Sequence, residues 1–153
     1  MIHRLLAVRV ASGALALLVA AALAGCSADA SARASRSQSA TTAASASRAA
    51  GLLLGQNEND QVLPTVLDTG LSDAADRLAA QAQNVVTLTA IGGIGASRAR
   101  VLSDIRAAQD AVASAQKASA AGHDSGRALE RQRQELDRVA QQLAASSKRL
   151  EQQ

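Results

Sequence analysis

Few side chains in this 153-residue chain could carry out chemistry, since it holds one cysteine, Cys26, and two histidines, His3 and His123. His123, Asp124 and Ser125 are consecutive, and adjacent residues cannot form the hydrogen-bonded relay of nucleophilic catalysis. A single cysteine excludes an intrachain disulfide framework and a cysteine-rich zinc site. The acidic residues show neither a repeated Glu-x-x-His pattern nor paired carboxylates. We therefore predict a non-catalytic protein that has no cofactor and no metal.

The amino-acid composition excludes further kinds of site. The chain has no Phe, Trp or Tyr, so it cannot form aromatic cages, base-stacking platforms or aromatic-lined ligand pockets. Its 16 basic and 13 acidic residues give a formal charge of +3, but Arg4 and Arg9 lie in a segment that we expect to be removed. The remaining chain is nearly neutral, which is a weak electrostatic footprint for binding DNA.

The first 26 residues have the layout of a bacterial secretion signal. His3, Arg4 and Arg9 make a positive start, and residues 10–24 are uncharged and rich in Ala, Leu and Val. This run is typical of a secretory signal peptide and is too short and alanine-rich for a membrane-spanning helix. It ends in Leu23-Ala24-Gly25-Cys26, which resembles the lipobox of bacterial lipoproteins.

The lipobox resemblance implies that residues 1–25 are cleaved and that Cys26 carries a diacylglycerol on its sulfur. Each buried CH₂ contributes about 0.8 kcal/mol, so two chains hold a protein on a bilayer far better than one. We expect a lipid anchor in the cell envelope that faces the periplasm or the exterior. Ser27 would permit sorting to the outer membrane of a two-membrane bacterium. The alternatives are an ordinary signal peptide with an incidental cysteine, or an uncleaved membrane anchor.

Residues 26–50 are predicted to be a disordered tether. Nineteen of the 24 positions from Ser27 to Ala50 are Ala, Ser or Thr, and none is a large apolar residue. Nothing then compensates for the entropy cost of ordering the backbone, and an isolated helix would be marginal. Arg33, Arg36 and Arg48 could rest on anionic lipid headgroups, at about 1 kcal/mol each.

Residues 51–153 are predicted to form a small antiparallel, all-α bundle of about three long helices. Pro64 suits the first turn of a short helix, and Thr69 or Ser72 can cap the first long helix. Glycine-containing breaks at residues 92–95 and 122–126 separate the three long helices. Apolar residues at heptad-like spacing define them in turn: Leu71, Leu78 and Val85; then Val101, Ile105, Ala108, Val112 and Ala115; then Leu129, Leu136, Leu143 and Leu150.

The third long helix is predicted to dock at the edge of the bundle. Its leucines recur every seven residues, but polar residues such as Gln132 and Ser146 occupy part of its second seam. A leucine zipper needs both seams apolar. Self-association through this helix and partial fraying are the alternatives. The core is expected to be thin, because residues 51–153 hold only 23 Leu, Ile and Val.

Residues Leu88–Leu102 hold one further motif, built around Gly93-Ile94-Gly95. It resembles the helix-hairpin-helix motif of proteins that bind DNA without sequence specificity. The prolines that often flank that hairpin are Gly92 and Ala96 here. Glycines allow backbone N–H groups to approach a phosphate, and a helix N-terminus favours an anion. The phosphate contacts that the resemblance implies are Gly93, Gly95, Ser97, Arg98 and Arg100, the two arginines lying at the exposed start of a helix.

These observations predict a membrane-anchored, non-catalytic helical lipoprotein that acts as a structural or protein-interaction module of the envelope. Its expected partners are the bilayer, through acylated Cys26, and a protein partner or a second copy of the chain. The alternative is a membrane-tethered helix-hairpin-helix protein that binds DNA. A turn that merely joins two alanine-rich helices would contain the same small residues around Gly93, and a different ligand at this turn is a further alternative.

Overall fold

The computed structural model describes residues 2–59, 61–88, 95–121 and 126–152, with side chains from Ala30 onward. Within these ranges it consists of four helices and no strand, which confirms the all-α class but gives one helix more than the predicted three. They are α1 (Ile2–Glu58), α2 (Pro64–Thr87), α3 (Gly95–Ala120) and α4 (Gly126–Glu151). The additional helix is α1.

The helices run up and down in an antiparallel bundle in which each helix packs against the next and α4 returns to α1. The beginning of the packed part of α1 meets the end of α4, where the hydroxyl oxygens of Ser37 and Ser147 lie 2.8 Å apart. The end of α1 meets the beginning of α4, where Arg133 Nε lies 3.5 Å from Glu58 Oε1. The interface between α1 and α4 is the most extensive in the bundle.

The predicted disordered tether is wrong, because residues 27–50 belong to α1. Ala40, Ala43, Ser47 and Ala50 are buried at alternating spacings of three and four residues. This spacing places them on one face of the helix, and small side chains allow a neighbouring backbone to approach closely. The entropy cost of ordering this segment is therefore offset by contacts with the other helices, and no large apolar residue of its own is needed.

Buried hydroxyls in this face are satisfied within the protein. Ser47 Oγ donates to the carbonyl of Ala43 at 2.9 Å, and Ser37 Oγ donates to Glu151 Oε1 at 2.9 Å. A buried hydroxyl without a partner would cost on the order of 1–3 kcal/mol. The serines of α1 can therefore lie in the core at little penalty.

The prediction that the third long helix lies at the bundle edge is also wrong, since α4 packs on both α1 and α3. The four leucines of its heptad repeat are buried, as are residues on either side of them. The two serines are tolerated because both have polar partners: Ser147 meets the hydroxyls of Ser37 and Thr41 on α1, and Ser146 donates to Asp104 of α3. The buried residues of α4 are Leu129, Leu136, Val139, Ala140, Leu143, Ser146, Ser147 and Leu150.

Helix α2 is longer than predicted, because it starts at Pro64 and not near Leu71. Pro64 occupies the first turn, as expected, and Thr69 donates its hydroxyl to the Thr65 carbonyl inside the helix instead of capping it. Gly70 lies where α2 crosses α1. A Cβ at this position would come within 2.3 Å of Leu53 Cδ1, so the absence of a side chain leaves room for the tip of the Leu53 side chain.

The packing of α1 predicts different effects of enlarging two alanines of the same helix. Ala43 is fully buried, whereas Ala49 is exposed. Ala43→Leu should lower the free energy of unfolding by about 1–3 kcal/mol, because it forces extra methylenes into a close helix interface. Ala49→Leu, the matched control, should change it by less than about 0.5 kcal/mol. Urea unfolding measures both, and equal effects would show that this face of α1 is not packed.

Candidate functional site

The two ends of the bundle differ in the residues they gather. The Arg36 end comprises Ala30–Ser37, Val85–Leu88, Gly95–Val101 and Ser146–Glu151. The Arg133 end comprises Gly51–Glu58, Leu63–Gly70, Lys117–Ala121 and Gly126–Asp137. Cys26 lies within α1 on the Arg36 side, ten residues before Arg36. At 1.5 Å per residue, about 15 Å of helix separates the two.

The glycine hairpin lies partly outside the described residues, which end at Leu88 and resume at Gly95. Gly93, one of the predicted phosphate contacts, falls in this gap, as do Thr89–Gly92 and Ile94. Gly95 begins α3 in open space, with no atom within 4 Å of the position of a Cβ. The three consecutive residues His123, Asp124 and Ser125 also lie outside the described part of the chain.

Arg98 was predicted to be exposed at the start of a helix. It does lie in the first turn of α3, but it is half-buried against the end of α2. Its Nε donates to the carbonyl of Val85 at 3.1 Å, and its Nη2 donates to the carbonyl of Val86. These carbonyls belong to the last turn of α2, where a helix leaves acceptors without intrahelical donors and favours a positive charge. Arg98 therefore joins the end of α2 to the beginning of α3.

Arg36 is almost fully buried and connects α1 to the beginning of α3. Its Nε donates to the Ala32 carbonyl at 3.0 Å, and its Nη1 donates to Ser97 Oγ at 3.2 Å. Hydrogen bonds of this kind reduce the cost of burying a charge. The sequence alone places Arg36 in a disordered tether, where it could rest on lipid headgroups. The sequence does contain a signal that Arg36 is buried, because it precedes Ala40 and Ala43 at spacings of four and three, which places all three residues on one face of α1.

Two of the predicted phosphate contacts have hydrogen-bond partners within the protein. Ser97 accepts a hydrogen bond from Arg36, and Arg98 is bound to α2. Arg100 is exposed on α3. An anion at this helix start would meet Arg100 and the exposed Gly95, with the Arg98 guanidinium directed towards α2.

At the Arg133 end, one arginine joins two carboxylates from different helices. Arg133 Nε and Nη2 each donate to Glu130 at 2.8 Å, and Nε lies 3.5 Å from Glu58 Oε1. The hydrogen bonds from Arg133 hold the pKa of Glu130 below its ordinary value. Desolvation, aided by the neighbouring Glu130 carboxylate, raises the pKa of Glu58. The carboxylates act as an ion-pair network between α1 and α4.

An open groove of about 660 Å³ runs between α1 and α2 near the Arg36 end. Its walls supply hydroxyl and amide groups that could hydrogen-bond a ligand, and none of the residues that line it carries an ionisable acid or base. The polar residues that line it are Ser35, Gln38, Ser39, Thr42, Gln81, Asn84 and Thr87. Among the described residues, no group of three or more His, Cys, Asp or Glu could hold a metal ion.

No helix in the described part of the chain is both long and apolar enough to cross a membrane. Comparison of the chain with protein-family models, with curated proteins and with solved structures finds no match.

The position of Arg98 predicts that it stabilises the fold. Arg98→Ala removes two hydrogen bonds from a charged donor and should lower the free energy of unfolding by about 1–2 kcal/mol. Arg100→Ala, two residues along and exposed, is the control and should change it by less than about 0.5 kcal/mol. Thermal or urea unfolding gives both values. A loss confined to Arg100→Ala would contradict the proposed contact with α2.

The pKa shifts at the Arg133 end predict opposite effects of two conservative substitutions. The lowered pKa of Glu130 contributes stability at neutral pH that is lost as the pH falls through its folded-state value. Because folding raises the pKa of Glu58, this group stabilises the folded state at pH values below its ordinary pKa. That contribution is lost as the pH rises through its folded-state pKa. Glu130→Gln should therefore destabilise the protein at about pH 7 and match the wild type near about pH 3.

Glu58→Gln is the matched control for the pH experiment. Its amide can donate to Glu130 as a protonated Glu58 would, so this variant should be at least as stable as the wild type at about pH 7. Free energies of unfolding at the two pH values measure both variants. A shift of the same sign in both at neutral pH would contradict the assignment of the two pKa directions.

Proposed function

We propose that this chain is a membrane-anchored, non-catalytic bacterial lipoprotein that acts as a structural or protein-interaction module of the cell envelope. The observation that carries the proposal is the sequence Leu23-Ala24-Gly25-Cys26 directly after a positive start and an uncharged, alanine-rich run. The absence of any other cysteine adds support, since this thiol cannot form an intrachain disulfide. Cleavage before Cys26 makes it the N-terminal residue of the mature protein.

The anchor holds the bundle close to the membrane, because α1 continues from the region of Cys26 into the packed core. In a chain that starts at Cys26, about 15 Å of helix precedes Arg36. A disordered segment of the same sequence would allow the bundle to move freely at a larger distance. The bundle is thus held at a short distance from the bilayer, with its Arg36 end nearer to the lipid.

The Arg133 end is the surface that we assign to a protein partner or a second copy of the chain. Leu52, Leu63 and Val66 are exposed there, at 69%, 69% and 50% of their full surface. Along α1, Leu52 lies about 39 Å from Cys26. Large apolar side chains exposed at the end remote from the membrane are accessible to other envelope proteins, and their burial would favour association.

DNA binding through the glycine hairpin is the alternative function. Its support is the exposure of Arg100 and Gly95 at the beginning of α3. The contact of Arg98 with α2 reduces the charge available to a phosphate backbone, which non-specific DNA binding requires. We therefore place this function second.

The proposed anchor predicts a covalent change at Cys26. The wild-type protein expressed in a bacterium should incorporate labelled fatty acid and sediment with membranes. Cys26→Ala should lose the label and retain residues 1–25, because the lipoprotein peptidase acts only on the acylated cysteine. Mass spectrometry of the two chains measures both changes. Wild-type protein without acyl chains in the soluble fraction would overturn the proposal.

A further inference from the structure

We propose that the Arg36 end binds the anionic phospholipid headgroups of the membrane that holds the anchor. This inference rests on the proposed acylation of Cys26, because the anchor brings this end to the bilayer. It adds to that proposal a specific lipid chemistry and a fixed orientation of the bundle. The partner is a negatively charged lipid surface, and the binding groups come from three different helices.

The fold gathers basic side chains at the Arg36 end. Arg100 of α3 and Lys148 and Arg149 of α4 are exposed, and Arg33 of α1 is half-buried beside them. Among the residues whose side chains are described, Glu151 is the one acidic residue of this end. Its carboxylate accepts hydrogen bonds from Ser37 and Ser147. The end therefore presents a net positive surface.

Three of these basic residues, Arg33, Arg100 and Arg149, lie around one apolar residue, Leu150, at the end of α4. Arg100 and Arg149 line a crevice on one side of Leu150, and Arg33 lines a second crevice on the other side. The nearest further acid on α3, Asp104, lies one helical turn deeper, where it accepts from Ser146 Oγ at 3.4 Å. The positive charges are thus on the outer rim of the bundle end, where a flat charged surface can reach them.

The Arg133 end lacks this charge bias. There Arg133 is engaged by Glu58 and Glu130. Within the ranges that define this end, four basic residues are balanced by five acidic ones: Lys117, Arg127, Arg131 and Arg133 against Glu58, Asp68, Glu130, Glu135 and Asp137. The positive surface is therefore on the side of the molecule that carries the anchor.

The anchor places these charges within the range of the membrane's field. Arg33 follows Cys26 by seven residues, which is about 10 Å of helix. The field of anionic headgroups acts over about one Debye length, which is about 30 Å at 0.01 M salt and about 8 Å at physiological salt, so this spacing lies well inside the field at low salt and near its edge at physiological salt. Each basic residue near such a surface strengthens binding about fivefold. Arg100, Lys148 and Arg149 together should favour the docked orientation on the order of 100-fold.

A single tryptophan reports on this contact, because the chain has no aromatic residue of its own. We would introduce Gln152→Trp, exposed beside Glu151, and Ala120→Trp, exposed at the opposite end, separately into the full acylated protein. Energy transfer to a dansyl-labelled lipid is then measured in phosphatidylcholine vesicles with and without phosphatidylglycerol. Transfer from Gln152→Trp should increase with phosphatidylglycerol at about 20 mM salt and fall to the neutral-vesicle value at about 1 M. Transfer from Ala120→Trp should not increase.

Charge substitutions identify the residues responsible. In the Gln152→Trp protein, Arg100→Gln, Lys148→Gln and Arg149→Gln combined should abolish the increase on anionic vesicles while leaving helicity unchanged.

The matched control removes three exposed basic residues at the other end. Lys117→Gln, Arg127→Gln and Arg131→Gln combined should leave the increase intact, since these residues do not face the membrane.

The outcomes separate this inference from the proposed anchor. If mass spectrometry finds no acyl group on the protein, the proposed anchor is refuted. An acylated, vesicle-bound chain whose Gln152→Trp transfer is independent of lipid charge refutes the headgroup contact alone. The headgroup contact would also be overturned if both triple variants lost the increase in energy transfer to the same extent. Binding of duplex DNA that depends on Arg100, Lys148 and Arg149, without any response to phosphatidylglycerol, would overturn it as well.

Discussion

The close approach of α1 to α4 is the contact on which the rest of this structure depends. A chain without aromatic residues has few large side chains with which to bury area, so its helices must approach closely to exclude water. The small residues of α1 make this possible, since Ala40, Ala43 and Ala50 present almost no volume to the neighbouring helices. Gly51 extends the same contact, where a Cβ would lie 3.3 Å from Asp137 Oδ1 and 3.9 Å from Leu136 Cβ. Without α1, the heptad leucines of α4 would be exposed on the side that it covers.

Polar side chains then fix how the helices meet at each end. Arg36 and Arg98 join the beginning of α3 to α1 and α2 through backbone carbonyls and the Ser97 hydroxyl. Arg133 joins α4 to the end of α1. Because hydrogen bonds are directional, these contacts specify one register for helices whose alanine-rich faces could slide along each other. The same register brings the Arg133 ion-pair network and the surplus of basic residues to opposite ends, and it gives the bundle its polarity relative to Cys26.

Three of the four helices could be predicted from the sequence, because residues such as Leu78, Ile105 and Leu136 recur at helical spacing. Helix α1 could not be found by the same criterion, since large apolar residues are missing from 27–50. A weaker signal was present: small residues alternate at spacings of three and four from Ala40 to Ala50, with no Gly or Pro from Ser27 to Ala50. The contact of Arg98 with α2 depends on the placement of two helices relative to each other, which no local pattern encodes. The motif therefore assigns Arg98 to a phosphate, whereas the fold pairs it with the carbonyls of Val85 and Val86.

Hydrogen exchange tests the central claim, that the alanine- and serine-rich segment is a packed helix of the bundle. Amide protons of residues 37–50 should exchange at least about 100-fold more slowly than in an unstructured peptide, and with protection similar to that of residues 136–150 of α4. Similar protection is expected because the two segments share one interface and open together. Exchange of residues 37–50 at the rate of an unstructured peptide, with α2, α3 and α4 still protected, would show a flexible tether and contradict the account.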